Sequence, residues 1–228
     1  WRINDLALGA MNGLTLSVNI KGYGINSGED MHGLSLEEKQ QQFNEFFTIE
    51  HAIRVNFKAL GPDFVLPDVE DLGEHMPYAF RVATEATSID AQALKALRNM
   101  GEHADELANF LNAQSRKIDL LMSLVLQQQD DPSVAFESYK FGGGGIVVKC
   151  DQPYAVEQTI ELKLFLKEEA AAIFCYGEVI SCESIDDNFH VSLIYNCIRE
   201  EDQDLLVRAS LHLQTAQLRK RAKQQKND

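Results

Sequence analysis

The chain is short of positive charge. Its 228 residues hold 21 Lys and Arg against 35 Asp and Glu, a net charge of -14. Phosphate backbones are bound by basic surfaces, so nucleic acid is not expected as the main partner. A local basic site for a small phosphate ligand stays open. The chain also has no run of eighteen apolar residues, so no helix that inserts in a membrane is expected. Its first residues lack a basic stretch followed by an apolar one, which argues against an ordinary secretory signal peptide.

Reactive constellations are scarce too. The four cysteines, Cys150, Cys175, Cys182 and Cys197, form no CxxC pair, which argues against a zinc ribbon. Three lie in apolar or strand-like runs, the habitat of buried free thiols, and reduced cytoplasmic cysteine is the favoured reading. The six histidines, His32, His51, His75, His103, His190 and His212, include no HExxH and no i, i+4 pair, so no metal site is expected. No Ser/His/Asp or Cys/His arrangement has motif support, so an enzyme is the least favoured class. The acidic pairs Glu37-Glu38, Asp130-Asp131, Glu168-Glu169 and Glu200-Glu201 read as solvated charge at turns and helix ends.

What the chain does have is a long apolar period. Between Asp90 and Gln128, Leu97, Met100, Ala104, Leu107, Leu111, Ile118, Leu121 and Val125 fall at alternating steps of three and four. Only Gln114 interrupts this a/d series. At 1.5 Å per residue such a helix is roughly 58 Å long, more than one small core can cover. The g positions (Ala96, His103, Phe110, Lys117, Leu124) and e positions (Leu94, Gly101, Ala108, Ser115, Met122) are mostly apolar or small, where a two-stranded coil carries Glu and Lys. The wide face predicts a trimer or tetramer bundle, or a helix shared between self-contact and its own domain. A core helix broken near Gly101 and packed within one chain is the other reading. Gln114 at a d position either fixes register by bonding its copies or is a polar residue tolerated at a widened site.

Along the rest of the chain, Leu14–Ile20 alternates like a strand. Met31 opens a conventional-looking start, so residues 1–42 read as an N-terminal extension whose first thirty residues are in part upstream or non-native sequence. Ser35 and Glu38 make a capping box for a short helix. Phe46–Leu60 reads as a strand, Phe64–Leu66 as a second, Pro67–Pro77 as an acidic loop and Tyr78–Thr87 as a third strand. Ser88 or Asp90 caps the long helix, which ends before Pro132. Val134–Phe141, Ile146–Cys150, Thr159–Leu166, Ala171–Ser181 and Phe189–Tyr195 then read as strands of a small barrel or sandwich. A helix from about Glu200 to Lys223 closes the chain, acidic at its start and basic at its end. Gly142–Gly145 is either a tight inter-strand turn or a backbone cradle for phosphate, with Lys140 beside it.

From Phe46 onward the order of elements resembles the PilZ domain, a small bacterial β-barrel that senses cyclic di-GMP. Lys140-Phe141-Gly142-Gly143-Gly144-Gly145-Ile146-Val147-Val148 stands where that family has Asp/Asn-x-Ser-x-x-Gly and a strand. The Phe46–Ile49 entry strand, the strands at Gly177–Ile180 and Val191–Tyr195, and the closing helix also fit. The resemblance implies an α+β fold: a small antiparallel β-barrel over residues 43–228, interrupted by an oligomerisation helix at 88–130. It is similar to an atypical tetrameric branch built on heptads. It implies a non-enzymatic, cytoplasmic adaptor in cyclic-di-GMP-linked motility or attachment, with a homotetramer as the expected assembly and an unidentified partner protein. The family's two ligand arginines fall on Asn44 and Thr48, its Asp/Asn on Lys140 and its Ser on Gly142; Gly145 alone is kept. Arginine pairs bidentately with phosphate and stacks on guanine, which Asn and Thr do not. Each lost charged hydrogen bond costs about 1.5–3 kcal/mol, so four losses weaken binding by roughly three orders of magnitude or more. No bound cofactor is therefore expected; cyclic di-GMP held by substituted contacts is the alternative.

Overall fold

The computed structural model describes residues 34–86, 105–129 and 131–224. The expected strand at Leu14–Ile20, the nature of residues 1–30, the caps at Ser88 and Asp90, the break at Gly101 and the heptad positions Leu97, Met100 and Ala104 lie outside the described residues.

Helix α1 (Leu36–Glu45) starts with the expected capping box: the Glu38 amide donates to Ser35 Oγ, and the Ser35 amide donates back to the Glu38 carboxylate. Strands β1 (Thr48–Glu50) and β2 (Arg54–Ala59) follow. The expected single strand over Phe46–Leu60 is thus two. Phe46 still caps α1, and residues 51–53 break the ladder where Ser138 Oγ accepts from the Ile53 amide and donates to the His51 carbonyl.

Phe64–Leu66 is not a strand. The Phe64 amide donates to the Gly61 carbonyl in a turn, and Val65 is 83% exposed. The acidic segment after it is ordered into a 3-10 turn (Val69–Asp71) and a short helix α2 (Leu72–His75), because Leu72 is fully buried. Tyr78–Thr87 is not a strand either. Residues 78–86 form helix α3, with Phe80 buried and Ala79 and Ala83 packed in the same cluster. Helix α4 (Asp105–Gln129) is the described part of the long helix.

After a 3-10 turn (Pro132–Val134) come β3 (Ala135–Gly142), β4 (Gly145–Cys150), β5 (Thr159–Leu166), β6 (Ala171–Ile185), β7 (Asn188–Cys197) and α5 (Glu200–Gln224). All strand pairs are antiparallel. The order β3-β2-β5-β6-β7-β4 closes on itself through β3–β4, and β1 adds to the β3 edge at Thr48↔Gly142. The fold class is the expected one: a small antiparallel β-barrel, a long inserted helix and a closing helix.

Period two builds the barrel interior. Ile160, Leu162, Leu164 and Leu166 point inward with Ile173, Cys175, Val191 and Leu193. Each such Leu or Ile contributes about 1.5–3 kcal/mol on burial. The outer face is apolar as well in two places, and each is covered by helix. Leu72, Met76, Phe80 and Leu126 lie over Phe165, Phe174 and Tyr176. Phe43 of α1 lies over Val147, Ile180 and Ile194. Helix α5 closes one end of the barrel, where Leu206 and Ala209 join the inner cluster.

Candidate functional site

Two places carry the residues singled out by sequence, and they differ in access. The first is the β3–β4 turn. The ladder places Thr48 opposite Gly142 and Glu50 opposite Lys140, so three of the five ligand-motif positions meet on β1–β3. Gly145 begins β4 across the turn, opposite Ile194. Asn44 is exposed on α1.

The turn itself is filled by protein. Gly142, Gly143, Gly144 and Gly145 are all buried. A Cβ on Gly142 would overlap the Phe47 carbonyl, one on Gly143 the Val207 side chain, one on Gly144 the Phe46 ring, and one on Gly145 the Leu193 carbonyl. The Gly143 carbonyl accepts from Gln203 Nε2 at 3.0 Å, and the Gly144 carbonyl accepts from the Tyr195 amide at 3.2 Å. Glycine is required here for close approach of β1, α1 and α5 rather than for room beside a phosphate. The turn between β3 and β4 is the tight inter-strand one.

The cations near this turn are occupied. Lys140 Nζ lies 5.6 Å from the centre of the Phe43 ring. Lys39 donates to both Glu178 carboxylate oxygens at 2.7 and 2.9 Å, a half-hidden pair that ties α1 to β6. Gln40 adds a bond to the Ile180 carbonyl at 2.7 Å. None of α1, β1, β3 and β4 carries an arginine. At the other side of the turn Arg199 donates to Asp202 at 2.7 and 2.8 Å. Burial pushes the Asp202 carboxyl up to about 6, although Arg199 opposes the shift. Sequence reasoning missed Phe43, Phe46 and Val207 as the residues that seal the turn. The signal available was the aromatic cluster Phe43, Phe46 and Phe47 inside a polar segment.

The second place is α4. One side of the helix seats on its own chain: Ser123 and Leu126 are buried, Arg116 donates to the Glu168 carbonyl at 3.0 Å, and the Gln127 carbonyl accepts from Arg54. The opposite side is open. Leu107, Ile118, Leu121 and Val125 of the a/d series are 50%, 49%, 63% and 40% exposed. Phe110 and Leu124 of the g series are 58% and 51% exposed. Leu111 and Gln114 are half-buried. The structure therefore brings the described heptad positions together on a single face with few contacts to the chain itself.

Chemistry is sparse elsewhere. Among the described residues there is no group of three His, Cys, Asp or Glu side chains able to hold a metal ion, and no helix long and apolar enough to cross a membrane. All four cysteines are free, and burial pushes Cys150 up to about 12 and Cys197 up to about 11. Thiols so raised are poor nucleophiles.

No family model matches the chain, and no curated protein matches it. Among solved structures the chain is similar to a pathogenic protein of Xanthomonas campestris, described as a new tetrameric PilZ domain self-assembled through an unusual helical bundle. That likeness has a TM-score of 0.49 at 13% identity and covers 80% of this chain and 96% of that one. It is also similar to the inhibitor of motility MotI/DgrA of Bacillus subtilis, with a TM-score of 0.35 at 22% identity, over 36% of this chain and 43% of that one.

Proposed function

We propose that this chain is a PilZ-like, non-enzymatic signalling adaptor of the cytoplasm, acting in cyclic-di-GMP-linked control of motility or attachment. Copies join through the open a/d/g face of α4, four copies being the expected number, and present their barrels to a partner protein. Cyclic di-GMP is not held in the family's usual mode. The observation that carries the reading is the face itself. Leu107, Phe110, Ile118, Leu121 and Leu124 are each about half exposed or more on one helix, whereas the same helix buries Leu126 against its own barrel. A contiguous apolar face of this size marks a contact surface. The loss of nucleotide binding is supported by the filled turn and by the absence of arginine from the four elements around it.

Light scattering of the intact chain, repeated with cyclic di-GMP, tests both halves. The expected result is a mass of several chains that falls to one chain in Leu121→Glu, with no change on adding nucleotide. A single-chain mass for the unaltered protein removes the assembly. Micromolar or tighter nucleotide binding that weakens in Lys140→Ala removes the second half and favours a receptor with substituted contacts.

A further inference from the structure

Helix α5 outruns the barrel end that it covers. Leu206, Ala209 and Ser210 are buried, but from Leu218 to Gln224 every residue is exposed. That stretch holds Arg219, Lys220, Arg221 and Lys223, four cations in an acidic chain. None of their side chains takes part in an ion pair or hydrogen bond among the described residues. A helix C-terminus favours cations in its last turn, which accounts for Arg221 and Lys223 but leaves Arg219 and Lys220 unexplained. Leu211 and Leu218, seven residues apart on the same helix, are 42% and 54% exposed.

The chain carries the complement of this surface elsewhere. Asp63, Asp68, Glu70, Asp71 and Glu74 are exposed, and they too make no ion pair among the described residues. Val65 and Tyr78, in and just beyond that segment, are 83% and 74% exposed. The two patches do not meet within one chain. The distal part of α5 reaches β1, where Gln217 donates to the Glu50 carbonyl, whereas the acidic segment lies over the outer face of β5 and β6.

We propose that the acidic segment 63–78 of a second copy docks on the distal half of α5, carboxylates against Arg219–Lys223 and Val65 and Tyr78 against Leu211 and Leu218. This contact goes beyond the α4 assembly and does not depend on it. A two-fold pair exchanges the contact twice; repeated head to tail, it links α4 assemblies into larger ones. Nucleic acid would answer the cations alone, and the acidic body repels it. Contacts of this kind act within about one Debye length, roughly 8 Å at physiological salt, so local matching of patches outweighs the shared net charge.

Sedimentation velocity of the full chain at about 50 mM and about 500 mM salt reads the contact. The expected result is a concentration-dependent association that weakens at least about tenfold at the higher salt, as for contacts between exposed charges. Arg219→Glu with Arg221→Glu abolishes it, as does Glu70→Lys with Glu74→Lys. An equimolar mixture of the two double variants restores one contact per pair, because the unaltered acidic segment of the first variant meets the unaltered cations of the second. The step persists in Leu121→Glu, which disrupts only α4. Circular dichroism of both double variants stays that of the unaltered protein, since every substituted side chain is exposed. The proposal is overturned if the mixture fails to restore association, if either double variant associates as before, or if the step vanishes in Leu121→Glu. It is equally overturned if Arg219→Glu with Arg221→Glu loses binding to phosphatidylserine vesicles while self-association is unchanged.

Discussion

The β3–β4 turn and the open face of α4 are opposite solutions to the same composition. Both are rich in apolar or small residues. At the turn those residues meet partners within the chain: Phe43 packs on Val147, Ile180 and Ile194, and Phe46 and Val207 fill the space over the glycines. On α4 the described residues supply no equivalent partners, and Leu121 stands 63% exposed while Leu126, five residues on, is 3% exposed. Apolar residues that are paired inside one chain report the fold. Those left open at regular helical spacing are the basis of the proposed assembly. A residue's type does not separate the two cases, but its surroundings do.

That contrast can be broken by mutation, and the turn is expected to respond most. Phe43→Ala should cost about 3–5 kcal/mol in urea unfolding at fixed chain concentration, because a large buried ring leaves a cavity over three aliphatic side chains. A loss below about 1 kcal/mol would mean that α1 is not docked as described. Gly142→Ala should cost about 1–3 kcal/mol, since the added Cβ meets the Phe47 backbone, which cannot swing aside like a side chain. Equal stability of the two proteins would show that the turn has slack.

Asp202 sharpens the comparison through pH. Its folded pKa of about 6 lies above its ordinary 3.8, so the folded chain holds this proton where the unfolded chain has lost it. The stabilisation is complete below about pH 4 and is lost as pH rises through about 6. Unfolding measured at pH 4.5 and 7 should therefore show the unaltered protein gaining on Asp202→Asn at the lower pH, and a constant difference would contradict the shift. The smallest effect on stability belongs to α4. Leu121→Ala should move the unfolding free energy of the dissociated chain by less than about 0.5 kcal/mol, while it weakens assembly. A loss of several kcal/mol in the dissociated chain would mean that this face is packed within its own subunit.

Much of the barrel was legible from period two. Ile160 to Leu166 alternate in the sequence and in the structure, since a strand turns successive side chains to opposite faces whatever lies beyond it. The capping box at Ser35 and Glu38 was legible for the same local reason. Helix α3 was not. Phe80 and Val82 look like a strand in isolation, but Phe80, with Ala79 and Ala83, covers Phe165 and Phe174, and a helix serves that surface better. Phe64–Leu66 failed likewise: its aromatic packs on Tyr176 at 5.2 Å, yet no strand edge is offered for it to join. The candidate ligand-motif positions were proposed from the family resemblance alone. Their sealing by Phe43, Phe46 and Val207 joins residues more than sixty positions apart, and no local pattern carries that.

The order of residues alone settled the acidic character, the strands of the second half, the capped first helix and the apolar stripe of α4, because each depends on composition or on neighbours a few positions away. Only the tertiary structure decided which apolar residues are consumed by the chain's own packing and which stand open. Burial is a property of contacts between distant segments, and those exist only once the barrel has closed.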